Sequence, residues 1–340
     1  MEINKIYEGN NLETLKNFDD NSIDCCVTSP PYYGLRDYGT GKWVGGDPNC
    51  PHYRTSHYSE KTITGHKAMY ENAGAMGAVA DGIYKHVCKK CGAVRVDEQV
   101  GLEETPEEYI QKLVDIFAEV KRILKDDGTL WLNIGDSYAG GAGRWGGTDE
   151  MSDMQKGNQG SVTQIGTAKK WQHATIKPKD LIGIPWMLAF ALRENGWYLR
   201  QDIIWAKPNP MPESIKDRCT KSHEYVFLLT KNAHYHFDYE SIQEISNTDV
   251  TERRHKRDVW TVIPSTYKGA HFATFPEDLI APMILAGCPE NGIVLDPFMG
   301  SGTVGLVAKK HNRNYVGCEL NADYIKLAET RISNATRPLF

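Results

Sequence analysis

Thr28-Ser29-Pro30-Pro31-Tyr32-Tyr33 places a hydroxyl, two prolines and two aromatic rings in one short stretch. Proline fixes φ and carries no N–H, so the stretch reads as a stiffened loop with its carbonyls free. Such a loop suits a flat ring with a polar edge. An exocyclic amine can donate to the Ser29 hydroxyl and the Pro30 carbonyl while Tyr32 stacks on the ring face. A plain strand-ending turn is the other reading of a Pro-Pro pair. A second stretch near the far end alters that balance: Asp296-Pro297-Phe298-Met299-Gly300-Ser301-Gly302-Thr303 follows the apolar run Gly292-Ile293-Val294-Leu295. Glycines at a strand-to-helix turn let a ligand approach the backbone. Glu319 stands about 20 positions after them, where a βαβ nucleotide site places its acceptor for ribose hydroxyls. The turn is not GxGxxG, so a dinucleotide is not indicated.

Strands and helices must carry these loops. Ser22–Val27 reads as a buried strand feeding the first loop, and Gly292–Asp296 as one feeding the second, followed by a helix over Val304–Lys310 and a strand over Asn314–Cys318. Lys5–Tyr7 is a short strand and Asn11–Leu15 a short helix. Thr105-Pro106-Glu107-Glu108 has the residues of a helix start, and Tyr109, Leu113, Ile116, Phe117, Val120 and Leu124 recur at helical spacing after it. Asp127-Gly128 turns the chain into a strand over Thr129–Ile134, whose end carries Asn133 and Asp136, each a turn residue or a pocket lining. Leu181–Glu194 is an amphipathic helix, Tyr198–Trp205 and Ser222–Leu229 are strands, and Glu277–Ala286 is a helix.

Two stretches break this pattern. From about Thr40 to Val100 the chain is irregular and contains Cys50-Pro51-His52 and Cys88-Lys89-Lys90-Cys91-Gly92. Thiolates two residues apart followed by glycine form one side of a tetrahedral metal site; Cys50, His52, Cys88 and Cys91 together supply four ligands for a structural zinc, with His57, His66 and His86 as substitutes for His52. Four protein ligands leave no open position for catalysis. Residues 140–179 lack periodicity and read as a mobile loop or as one that closes over a partner.

The chain has 340 residues, 40% hydrophobic and 24% charged, with net charge −5. That composition is globular, and its acidity means that any nucleic-acid contact must be local. The clearest local basic run is Arg253-Arg254-His255-Lys256-Arg257. No apolar run is long enough for a signal peptide or a membrane span, and Cys25, Cys26 and Cys318 sit in apolar strand patterns as core residues of a reduced, cytosolic protein.

The pair of motifs, TSPPYY early and DPFMGSGT late, resembles the DNA methyltransferases that transfer a methyl group from S-adenosylmethionine to cytosine N4 or adenine N6. The order, catalytic motif first and cofactor motif last, is similar to that of the permuted β group. The resemblance implies an α/β fold: a circularly permuted Rossmann-like sheet of about seven strands with helices on both faces, one edge strand antiparallel, plus the small zinc-knuckle insertion. It implies a catalytic set of Ser29, Pro30, Pro31 and Tyr32. It also implies a cofactor set of His271, Phe272, Thr274, Asp296, Pro297, Phe298, Gly300, Ser301, Gly302, Thr303 and Glu319. Double-stranded DNA becomes the expected partner, with Tyr33, Arg36, Lys207, Asn209, Arg253, Arg254, Lys256 and Arg257 as contacts and a restriction endonuclease as a possible companion. Residues 1–40 then hold the catalytic motif, 41–100 the zinc insertion, 101–136 core, 137–180 a DNA-contacting loop, and 181–340 core with a target-recognition segment at 231–270 and cofactor motifs at 271–319. Serine before Pro-Pro points within the family to cytosine N4, with adenine N6 as the alternative. The lack of a Pro-Cys motif points to direct in-line transfer. An RNA methyltransferase or a non-catalytic DNA-binding module are the readings from other classes, and a prokaryotic or phage-type cytoplasm is the expected setting.

Overall fold

The structure, a computed structural model, describes residues 1–34, 40–52, 87–139, 173–246, 251–264 and 275–335. Along the chain run β1 (Lys5–Glu8), α1 (Asn11–Leu15), β2 (Ile23–Thr28), β3 (Lys42–Val44), β4 (Val94–Val96), α2 (Pro106–Ile123), β5 (Leu124–Ile134) and α3 (Ile184–Glu194). Then come β6 (Tyr198–Ala206), β7 (His223–Thr230), β8 (Glu244–Ile245), β9 (Arg253–Arg254), β10 (Val259–Thr261), α4 (Glu277–Gly287), β11 (Ile293–Asp296), α5 (Thr303–Lys310), β12 (Asn314–Glu319) and α6 (Ala322–Ser333).

A strand buried on both faces must lie inside a sheet that is covered on both sides. All six residues of β2 are buried, and β2 is central in an eight-stranded sheet of order β1-β12-β11-β2-β5-β7-β6-β10. Its side chains alternate between two cores. Ile23 and Cys26 join the side chains of α1, α2 and α3, whereas Cys25 and Val27 join those of α4, α5 and α6. The α-helices among the described residues therefore divide three to each face. On α2 the spacing of Tyr109, Leu113, Phe117 and Val120 buries one stripe completely. Its N-terminus is closed by a reciprocal capping box between Thr105 and Glu108. No helix among the described residues is long and apolar enough to cross a membrane.

Four expectations are corrected. The large sheet has eight strands, the additional one being the short β10 at its edge. The antiparallel strand is not at an edge. It is β7, inside the sheet between β5 and β6, because β6 and β7 follow each other without a crossover helix and pair as a hairpin. Asp127-Gly128 does not precede its strand but lies inside β5, as a bulge that shifts the register from Ile23↔Leu124 to Cys25↔Thr129. The helix expected from Leu181 starts at Ile184, since Leu181 bridges to Tyr138 and Gly183 takes a left-handed φ of 86°. The insertion after the first motif contributes a separate antiparallel pair, β3 with β4.

Candidate active site

β2 and β11 are parallel neighbours, with Val294 opposite Cys25 and Leu295 opposite Cys26. Their carboxyl ends therefore release the Ser29 loop and the Asp296 loop side by side, where open α/β sheets place ligands. One bond joins them: the fully buried Thr28 hydroxyl donates to Asp296 Oδ1 at 2.6 Å, and the same oxygen accepts the Phe298 N–H at 3.0 Å. Asp296 is 1% exposed. Burial, with Glu319 as a smaller contribution, pushes its carboxyl up to about 7 against these two donors.

The first loop is fixed from below. Pro30 is buried, the Pro31 carbonyl accepts the Tyr109 hydroxyl at 3.0 Å, and Gly34 N–H donates to the Gly101 carbonyl at 2.9 Å. Ser29 remains partly exposed. Tyr33, expected to contact DNA, is instead a core residue: it is 7% exposed, tilted against Tyr109, and donates to the Glu104 carbonyl. The apolar cover over α2 takes this ring because the chain turns inward after Tyr32. The Tyr32 hydroxyl donates to Glu224 Oε2 at 2.6 Å and lies 3.3 Å from Asn133 Oδ1. Its ring crosses Gly135 so closely that a Cβ there would lie 2.6 Å from the ring. Burial, then the Glu224 charge and hydrogen bond, hold the Tyr32 phenol protonated well above its usual range, with a hydrogen bond from Ser29 opposing them.

In the second loop the glycines have different tasks. A Cβ on Gly300, at φ 51°, would meet open space apart from the Phe298 carbonyl at 3.8 Å, so this is where a ligand can come against the backbone. Gly302, at φ 78°, instead lets α6 approach, since a Cβ there would lie 2.6 Å from that of Ala328. Ser301 and Thr303 are buried, and both hydroxyls are held by Arg331 of α6, at 2.7 and 3.3 Å. Both hydroxyls accept from α6 where the N-terminus of α5 packs against it. Glu319, at the end of β12, accepts the Gly300 N–H at 2.9 Å and the Asn321 N–H at 2.9 Å, and burial raises its carboxyl above the usual range. Asn11 donates to the Pro297 carbonyl at 3.1 Å, which ties α1 to this loop. His271, Phe272 and Thr274 lie outside the described residues, as does Arg36.

Beside Tyr32 the start of β7 and the end of β6 bring Glu224 and Lys207 together as an ion pair, with the lysine ammonium 4.3 Å from the Trp205 ring centre. Lys207, expected at a DNA phosphate, is thus committed within the protein, while Asn209 is exposed. Asn133 donates to the Tyr225 carbonyl at 3.0 Å, and Asp136 accepts from Gly183 and Ile184 N–H at the start of α3. Both thus have structural bonds, and Asp136 caps the start of α3. Glu224 and Gly135 were missed by the sequence reading. Nothing in a strand that reads Glu-Tyr-Val-Phe singles out its carboxylate, and only the fold shows what lies over the glycine.

Cys50, His52, Cys88 and Cys91 come together with all ligand atoms within 4.8 Å of one another. The Cys50–Cys88 sulfur separation is 3.7 Å and that from Cys91 Sγ to His52 Nδ1 is 3.6 Å. A tetrahedral ion with metal–sulfur bonds of about 2.3 Å and a metal–nitrogen bond of about 2.1 Å requires edges of about 3.8 and 3.6 Å. These two separations are close to the edges of such a tetrahedron. Only Cys88 and Ala93 are buried in this small cluster, with Trp43 stacked on His52 at 4.3 Å. In the basic segment Arg254 and Arg257 share Glu244 Oε1 at 3.0 and 2.6 Å and Lys256 lies over Trp260, whereas Arg253 is exposed.

Comparison with known proteins agrees with this geometry. A family model described as DNA methylase, for N6 and N4 enzymes, matches residues 23–330. The chain is 41% identical over 327 residues to the type II methyltransferase M.Cfr9I of Citrobacter freundii, covering 96% of this chain and 87% of that protein. It is 40% identical over 328 residues to the type II methyltransferase M.SmaI of Serratia marcescens, covering 96% and 90%. Among solved structures, PvuII DNA methyltransferase, described as cytosine-N4-specific, aligns over 99% of this chain and 89% of its own with a TM-score of 0.59 at 17% identity. A DNA modification methylase from Thermus thermophilus, complexed with S-adenosyl-L-methionine, aligns over 99% and 95% with a TM-score of 0.51 at 18% identity. The fold, the paired loops and these relatives together place the chain in the family of S-adenosylmethionine-dependent amino DNA methyltransferases of the N4/N6 group.

Proposed function

We propose that the chain methylates cytosine N4 in double-stranded DNA, at a specific sequence, by direct transfer to a base flipped out of the duplex. The observation that carries this reading is the junction of the two loops, Ser29–Tyr32 beside Asp296–Gly300, joined by the Thr28–Asp296 bond. The residues fit the cofactor: Gly300 leaves backbone room, Glu319 has lone pairs left for ribose hydroxyls, and Asp296 organises the loop between them. Bound there, S-adenosylmethionine supplies an electrophilic methyl group. The protein has to make a poor nucleophile available. An exocyclic amine shares its lone pair with the ring; acceptors at Ser29 Oγ and the Pro30 carbonyl draw its hydrogens toward a tetrahedral arrangement and release that pair. Tyr32 stacks on the base and keeps it in place. Serine before Pro-Pro favours cytosine N4 over adenine N6, and the description of the PvuII enzyme agrees.

The same reading takes the chain as a permuted β-group enzyme, since the catalytic strand precedes the cofactor strands. It assigns a structural zinc to Cys50, His52, Cys88 and Cys91, phosphate contacts to the exposed Arg253 and Arg257, and a companion restriction nuclease consistent with the type II names of the relatives. The test is methylation of unmodified DNA with labelled S-adenosylmethionine, followed by digestion to nucleosides and mass spectrometry. N4-methylcytosine is the expected product, and N6-methyladenine would overturn the base assignment. Ser29→Ala and Tyr32→Ala are each expected to lower the rate at least about 100-fold; full activity in either would refute the site.

A further inference from the structure

Tyr32 is tethered by more than a buried phenol needs. Any carbonyl would satisfy its hydroxyl. Instead it meets a carboxylate whose two oxygens are both committed: Glu224 Oε2 accepts from Tyr32 and lies 3.4 Å from Asn133 Nδ2, while Oε1 holds the Lys207 ammonium. The Lys207 and Glu224 side chains are 19% and 15% exposed, so this pair is shielded from solvent. The sheet explains how they arrive. Because β7 runs antiparallel inside it, the start of β7 lies at the same edge as the ends of β2 and β5, with Glu224 opposite Trp205 in the register. Gly135, at the end of β5, closes the remaining direction by lying against the ring. A tyrosine held at its hydroxyl and along its edge has lost its rotational freedom before any base arrives.

We propose that Glu224, paired with Lys207, is a positioning residue that orients the Tyr32 ring to receive the flipped base. It rests on the reading of Ser29–Tyr32 as the base-holding loop. Orientation fixed in advance removes an ordering cost from the bound complex, and small misplacements at a reacting centre lower turnover steeply. Lys207 thereby belongs to the positioning of the base rather than to the phosphate backbone.

The experiment is a double-mutant cycle on the full chain with Tyr32→Phe, Glu224→Ala and the combined variant, alongside Ser29→Ala. Tyr32→Phe keeps the stacking surface and removes the hydroxyl with its bonds to Glu224, Asn133 and Ser29, so the comparison with Glu224→Ala in the cycle isolates the tether. Each single variant is expected to lower kcat by about 10- to 100-fold with the KM for S-adenosylmethionine unchanged. The combined variant should be no slower than the slower single one. Wild-type turnover in Tyr32→Phe, or penalties that multiply in the double variant, would overturn the proposal, and Tyr32→Phe decides it even where Glu224→Ala does not fold. An active Ser29→Ala would instead refute the site itself. An inactive Ser29→Ala with a fully active Tyr32→Phe would refute the tether alone.

Discussion

Asp296 keeps a carboxyl where water does not reach it, and this has a measurable consequence. Its native value of about 7 lies above the ordinary 3.8. Between those limits the folded chain holds a proton that the unfolded chain has released, so stability contributed by this group is fully present below the unfolded value and is lost as pH rises to about 7. Over pH 5 to 8 the loss is about 2–3 kcal/mol. Asp296→Asn keeps an oxygen for Thr28 and Phe298, which share Oδ1. Urea unfolding without cofactor should show that the variant lacks this part of the decline, and an unchanged slope would contradict it. Ser29, Tyr32, Asp296 and Glu319 were legible in the sequence because they stand in short motifs at strand ends. Glu224 and Gly135 were not, because their importance comes from residues about 100 or more positions away. Ser301 and Thr303 stand in the motif yet serve Arg331.

Among the elements, α3 has an unusual start. Its own cap position is Gly183, which has no side chain to offer, and the carboxylate of Asp136 accepts the Gly183 and Ile184 N–H groups from the end of β5 instead. Burial raises this carboxyl above its ordinary range against those donors. Asp136→Ala is expected to cost about 1–2 kcal/mol of stability in urea unfolding, with Asp136→Asn retaining most of it. A loss as large in Asn as in Ala would show that charge, not the hydrogen bonds, secures the helix. Apart from β5 and α6, the helices and longer strands were legible to within about three residues, because their apolar periods are strong, whereas the short β3, β4, β8, β9 and β10 were not. The exceptions have local causes. A bulge absorbs Asp127-Gly128, and the inward place of β7 follows from hairpin pairing that no periodicity encodes.

At the scale of the molecule the described residues form a sheet with a core on each face and a small module with few buried side chains. Among the described residues only Cys88 and Ala93 are buried there, so on the proposed reading the module relies on a bound metal. Elemental analysis should find one zinc per chain. Cys88→Ser should lose it while the main unfolding transition of the sheet persists, and a metal-free wild-type protein would refute the site. The module was legible as a ligand set, whereas its attachment was not. Gly34 N–H and the Gly101 carbonyl close its base, and within it Lys42 is opposite Val96, so the chain leaves and re-enters the methyltransferase body at nearly one point. Closing a loop costs only about 0.6 kcal/mol more for each doubling of its length. That base is a graft point, at which the insertion can be exchanged or lengthened while the chemistry beneath stays the same.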